Sequence, residues 1–184
     1  MVKRLLDRVL VVDVEATCWD GPVPDGQAND IIEIGLTELD VATGERIAKH
    51  GVLVRPERST VSAFCTGLTT LTQQDVEGGM PFADACALLR GEFGSHQRVW
   101  ASWGDYDRQQ FDRQCRDLGV AYPFGTRHLN VKTLFSLAHA LPRELGMAAA
   151  LEHAGLPLEG THHRGADDAW NIAALLAGVL GRGR

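Results

Sequence analysis

No uninterrupted apolar run in the 184-residue chain approaches the roughly 20 residues that a bilayer-crossing helix requires, and no membrane contact is expected. No secretory leader is expected either, because Asp7 and Arg8 interrupt the apolar stretch around Lys3 and Arg4. Cys18, Cys65, Cys86 and Cys115 show no Cys-x-x-Cys spacing, so the expectation is free thiols in a reducing cytoplasm. Positive charge is also short. With 18 Lys and Arg against 24 Asp and Glu the formal net charge is -6, which excludes the broad basic surface of a protein that coats a polyanion. No internal repeat, low-complexity tract or long linker divides the sequence.

What remains is a chain with 45% hydrophobic and 23% charged residues, the composition of a folded protein, read as one domain over residues 1–184. The stretch from Asp20 to Asn29, with Gly21, Pro22, Pro24 and Gly26, reads as a flexible loop. Strands are expected near 8–15, 30–39 and 45–54, the last two joined by a turn at Ala42-Thr43-Gly44 and the third closed by Pro56. Helical patterns are expected near 69–76 and 81–93, a strand at 98–103, a helix at 106–118 and a strand near 128–131. Further helices are expected near 132–140, 145–154 and 166–180. Antiparallel strands followed by strand–helix alternation predict an α/β fold, a mixed five-stranded sheet flanked by helices on both faces.

Chemistry concentrates in three places. Asp13 and Glu15 follow the apolar run Val9-Leu10-Val11-Val12, and alternation along a strand points both carboxylates to one face. Unit charges about 4 Å apart repel by roughly 4 kcal/mol at an effective dielectric of 20, a cost that a divalent cation removes. The plainer alternative is a solvated acidic pair where a strand runs into a loop. In the second place Asp107, Phe111, Cys115 and Leu118 share a helical stripe, which turns Asp107 toward the core and leaves Asp105 as an N-cap. In the third, Asp168 heads the apolar stripe Ile172, Leu175, Leu176, Val179, whereas Asp167 belongs to a more polar face and suits the helix dipole. His163 precedes Asp168 by five residues and is a candidate general base. His162, whose five-residue partner is Asp167, is its rival.

Asp13-Val14-Glu15-Ala16-Thr17-Cys18-Trp19, the pair Tyr106-Asp107, and His163 with Asp168 resemble the three exonuclease motifs of the DEDD superfamily, in its histidine-bearing subgroup. Together with Ile31-Ile32-Glu33-Ile34-Gly35 and Phe64-Cys65-Thr66-Gly67-Leu68-Thr69 they are similar to one branch. It holds the eukaryotic 3′ histone-mRNA exonucleases and the bacterial KapD-like group. The chain departs from relatives in having Ser102 and Trp103 where many carry Asn, and Tyr106-Asp107 where the eukaryotic ones tend to read Trp-Asp.

The resemblance, which runs from about residue 8 to 180, implies a ribonuclease-H-like sheet with the first strand central. It also implies 3′-to-5′ hydrolysis with two Mg²⁺ or Mn²⁺ ions. By it Asp13, Glu15, Asp107 and Asp168 become metal-site acids, and His163 becomes the base that deprotonates the attacking water. These hard cations suit carboxylates better than the four cysteines. The Ala16 and Thr17 backbone and the Thr17 side chain would contact the terminal sugar, with Phe64 and Leu68 flanking its base; the other reading of Phe64 is a core aromatic beneath a loop. The implied partner is the 3′ end of single-stranded or 3′-overhanging nucleic acid, RNA before DNA, with 5′-monophosphates released. No protein partner is indicated, and a monomer or homodimer is expected. Arg108, Arg113, Arg116, Arg127 and Arg164 cluster in sequence near the later motifs and suggest a short footprint. Two rival functions are an endonuclease on the same fold and a KapD-like regulatory or RNA-binding protein.

Overall fold

The computed structural model describes residues 6–182, so Lys3 and Arg4 lie outside the described residues. Five strands, β1 (Arg8–Ala16), β2 (Ile31–Asp40), β3 (Arg46–Leu53), β4 (Val99–Ser102) and β5 (His128–Asn130), form one sheet in the order β3-β2-β1-β4-β5. β1 is central. It runs antiparallel to β2 and parallel to β4, while β2 and β3 pair antiparallel and β4 and β5 parallel.

The unbroken Val9–Val12 run is explained by burial on both faces, as expected of a strand with helices on either side. Leu10, Val12 and Val14 pack with Trp100 against α3 (Phe82–Glu92) and α4 (Tyr106–Leu118), through Phe82, Leu89 and Phe111. Val9 and Val11 pack with Ala101 on the opposite face against α5 (Val131–Ala138), α6 (Met147–Ala154) and α7 (Gly165–Val179). Asp13 and Glu15, two and four residues beyond Val11, therefore emerge on the α7 side.

How close α7 comes to the sheet is decided by two glycines. A methyl group at Gly35 would lie 1.8 Å from the Gly165 carbonyl oxygen, and one at Gly165 would lie 2.9 Å from the Gly35 nitrogen. Only glycine on both sides lets the first turn of α7 rest on β2 beside the acids of β1.

One expected element is corrected. In place of a helix over 69–76 the chain forms two short ones, α1 (Ala63–Thr69) and α2 (Gln73–Glu77). Ser62 starts α1 by accepting from the Cys65 N–H at 3.0 Å, Thr70 ends it in a left-handed conformation (φ 65°), and a Thr72–Asp75 capping box starts α2. Each helix is too short for its apolar period to show. Phe64 consequently stands on a helix, 46% exposed, and is not a core aromatic beneath a loop.

The expected loop beside β1 is tied at its far end. Asn29 donates from Nδ2 to the Thr17 carbonyl (2.7 Å), and Gln110 donates from Nε2 to the Asn29 carbonyl (2.8 Å).

Candidate active site

β4 ends at Ser102 and pairs with β1 only from Val9 to Val11, so the two parallel strands open a crevice at their carboxyl ends. Open sheets bind ligands in this position. Asp107, in the first turn of α4, fills part of the gap: its Oδ1 accepts from the otherwise strandless Val14 N–H at 2.9 Å, and it is 3% exposed. Asp13 and Glu15 enter from β1 and Asp168 from α7, and carboxylate oxygens of these three lie within 4.8 Å of one another. All four acids line a cleft of about 410 Å³, with Ala16, Leu68, Tyr106, His162 and His163 also on its wall.

Crowding buried carboxylates disfavours their charged forms. Burial, followed by repulsion from Asp107 and Glu15, drives the Asp13 carboxyl well above its ordinary range. Burial and the nearby Asp168 push Glu15 up to about 8, and burial takes Asp107 to about 6 and raises Asp168 as well. The only donors in the cluster are hard oxygens, which together with the unrelieved repulsion fit divalent cations of the Mg²⁺ type.

The entry to α7 is held from β2. Glu33, 2% exposed inside an isoleucine-rich strand, accepts from Arg164 Nε (3.0 Å), Arg164 Nη2 (3.1 Å) and the Gly165 N–H (2.9 Å). The His163 backbone is left-handed (φ 63°), and its N–H donates to Asp168 Oδ2 at 3.0 Å. A non-glycine residue in that region is under strain, which the surrounding bonds hold in place. The turn brings both imidazoles over the cleft, stacked with centroids 4.0 Å apart and planes at 19°. Burial and the neighbouring His162 lower the His163 pKa, which favours the neutral form that can accept a proton.

Several expected placements are corrected. His162 does not pair with Asp167; its Nδ1 lies 3.0 and 3.2 Å from the two oxygens of Asp168, because the left-handed residue after it reverses the chain. Asp167 instead pairs with Lys49 and accepts from the Thr161 N–H at 2.7 Å. Asp105 occupies the N-cap position of α4 but makes no capping bond; its carboxylate accepts from Arg108 and Asn130, each at 3.3 Å. The Thr17 side chain is fully buried, bonded to the Asp30 N–H (2.9 Å) and the Ser59 hydroxyl (2.8 Å), and so does not face a sugar. Ala16 remains at the cleft wall, and Phe64 and Leu68 form an exposed i, i+4 pair on α1. The five arginines are also engaged: Arg108 with Asp105, Arg113 with Gln110, Arg116 with Asp112, Arg127 with the Gln97 carbonyl and Arg164 with Glu33.

Sequence reasoning passed over Glu33 and the His162–Asp168 contact as parts of the site, and gave Arg164 to the nucleic-acid footprint where it in fact pairs with Glu33. Glu33 left a signal, a lone acid among Ile31, Ile32 and Ile34. The histidine contact left none, since it depends on the path of a loop.

Solved structures that share this sheet and its helices are exonucleases of the ribonuclease-H-like fold, the class to which fold and site both point. The nuclease domain of 3′hExo, described as a DEDDh family member bound to rAMP, superposes with a TM-score of 0.85 at 27% identity, covering 97% of this chain and 94% of that one. A structure of a 3′-exonuclease recognising the histone mRNA stem-loop matches with a TM-score of 0.84 at 26% identity, over 95% of this chain and 64% of the other. Residues 10–176 match the RNase T exonuclease family model, and the chain belongs to that family. Use of divalent metals is general in it.

Among named relatives, the 3′-5′ exonuclease Snipper of Drosophila melanogaster is 28% identical over 94% of this chain, and 3′-5′ exoribonuclease 1 of Homo sapiens is 29% identical over 95%. The chain spans 69% of the length of the first and 52% of the second.

Proposed function

We infer that this chain removes nucleotides one at a time from the 3′ end of single-stranded or 3′-overhanging RNA, and of DNA less readily, releasing nucleoside 5′-monophosphates. The observation that carries this reading is the meeting of Asp13, Glu15, Asp107 and Asp168 from three separate elements in one cleft, with His163 at its rim. Two Mg²⁺ or Mn²⁺ ions, when bound, stabilise charge on the attacking and departing oxygens. Asp13, with a carboxylate neighbour on each side, is the residue suited to serve both ions. Glu15 and Asp168 would complete one position, and Asp107, fixed by the Val14 N–H, would support the other.

His163 takes the proton of the attacking water, and its backbone bond to Asp168 fixes it beside that acid. Phe64 and Leu68 offer an exposed apolar surface to the terminal base. Such stacking is indifferent to sequence and contributes about 1 to 3 kcal/mol per base.

A time course on RNA and DNA oligonucleotides labelled at either end, with EDTA controls, tests the reading. Stepwise loss from the 3′ end that stops when the terminal hydroxyl is blocked supports it. Internal cuts in a blocked substrate would indicate an endonuclease. Metal-dependent RNA binding without mononucleotide release would indicate a regulatory protein.

A further inference from the structure

We propose that His162, His163 and Asp168 form a second cation site at the rim of the cleft, suited to Zn²⁺, and that filling it shuts the enzyme off. One ligand atom from each of the three lies within 4.8 Å of the others. His162 Nδ1 stands 3.0 and 3.2 Å from the Asp168 oxygens. Two donors bound roughly 2.0 to 2.1 Å from a tetrahedral ion stand about 3.3 Å apart, so little movement converts this hydrogen bond into a chelate. The two rings stack with centroids 4.0 Å apart, and 37% exposure of the His162 side chain leaves a way in from solvent.

The surroundings are those of a supported metal site. Asp168 is fixed by the His163 N–H, and the Arg164–Gly165 segment is clamped to Glu33. Second partners of this kind orient ligands and strengthen binding. Two imidazoles and one carboxylate are a zinc donor set with a fourth position left for water or phosphate. The four-acid cluster is all oxygen and favours Mg²⁺ or Mn²⁺. The two sets share Asp168, so ions cannot freely occupy both. Zn²⁺ would draw Asp168 from the acid cluster and occupy the lone pair with which His163 accepts a proton.

Zinc binding stands on this geometry alone, whereas inhibition rests on the exonuclease reading above. The test uses the full chain stripped with EDTA. Zn²⁺ affinity is measured by calorimetry, Co²⁺ is added as an absorbing probe, and hydrolysis of a labelled RNA is followed in excess Mg²⁺. Wild type should bind one Zn²⁺ at this site, give the visible bands of Co²⁺ in a nitrogen-containing low-coordinate site, and lose activity as Zn²⁺ is added. His162→Gln should bind Zn²⁺ at least tenfold more weakly, lose the Co²⁺ bands and, with its activity expressed relative to its own zinc-free rate, resist inhibition. Equal Zn²⁺ affinity in wild type and His162→Gln, or Zn²⁺ binding lost in Asp13→Asn but kept in His162→Gln, would overturn the proposal by placing the ion in the acid cluster. His162-dependent Zn²⁺ binding in a protein that hydrolyses nothing would uphold the site and sink the exonuclease reading.

Discussion

Asp13 and Glu15 reach the cleft because every second side chain of a strand falls on one face, whereas His162 and His163 reach it on a strained loop, and Asp168 on the helix that follows, where the loop–helix junction is clamped from a different strand. The first arrangement is local and tolerates change elsewhere. The second is built from contacts between residues more than a hundred positions apart, Glu33 with Arg164 and Gly35 with Gly165. The strand acids supply the negative charge that calls for cations. The loop supplies the proton acceptor and fixes where the last acid stands. Damage to the strand should therefore remove the chemistry, and damage to the loop should misplace it.

The largest effect is expected at the strand. Asp13→Ala should reduce hydrolysis to background with folding intact, because Asp13 is the acid crowded by Glu15, Asp107 and Asp168 and would serve both ions; retained turnover in a labelled-RNA assay would contradict this. At the loop, His163→Ala should slow turnover by about 10² to 10⁴, the usual contribution of a general base. A wild-type rate would remove that role. Glu33→Gln tests the clamp without touching the reacting groups. Misplacement of catalytic groups by about 1 Å costs up to about 100-fold, so kcat should fall about 10- to 100-fold with KM little changed. A change confined to KM would mean that Glu33 does not position the base.

Stability against pH sharpens the comparison further. Burial holds Glu15 at about 8, far above its ordinary value of 4.5, and raises Asp13, Asp107 and Asp168 in the same direction. Between the ordinary and the raised values the folded protein binds more protons than the unfolded chain, so stability falls as pH rises through that window. Acids held low by partners, such as Asp167 and Glu159, change stability mainly below about pH 4 and so act outside it. The lowered His128 and His163 act in the opposite direction below about pH 6.5, but they are two groups against four raised acids, so in EDTA the Tm should be lower at pH 8 than at pH 5, and Mg²⁺ should shrink the difference. A Tm in EDTA that rises over this range would contradict the buried acid cluster. The smallest effect is expected from Asp105→Ala, whose exposed carboxylate contacts Arg108 and Asn130; it should keep most of the activity.

The same contrast explains what could be read from the sequence. Periodicity gives faces, so the shared face of Asp13 and Glu15, the inward turn of Asp107 on α4 and the placing of Asp168 at the head of the α7 stripe were all legible, whereas the central place of β1 came from the family resemblance. Loop paths are not periodic. The left-handed turns at Thr70 and His163 redirected the chain where no glycine announced it, splitting one expected helix into two and bringing His162 to Asp168 instead of Asp167. Thr17 was misplaced for a related reason. A bulge in the β1–β2 pairing at Glu15/Ala16 turns its side chain inward to the Asp30 amide.

The most direct test of the central claim counts bound Mn²⁺ on the EDTA-stripped chain by electron paramagnetic resonance, with a nucleoside 5′-monophosphate present. Two ions per chain in wild type, with both weakened in Asp13→Asn, is the predicted result. Wild-type protein that binds no Mn²⁺, or an Asp13→Asn variant that binds it as well as wild type, would contradict the account.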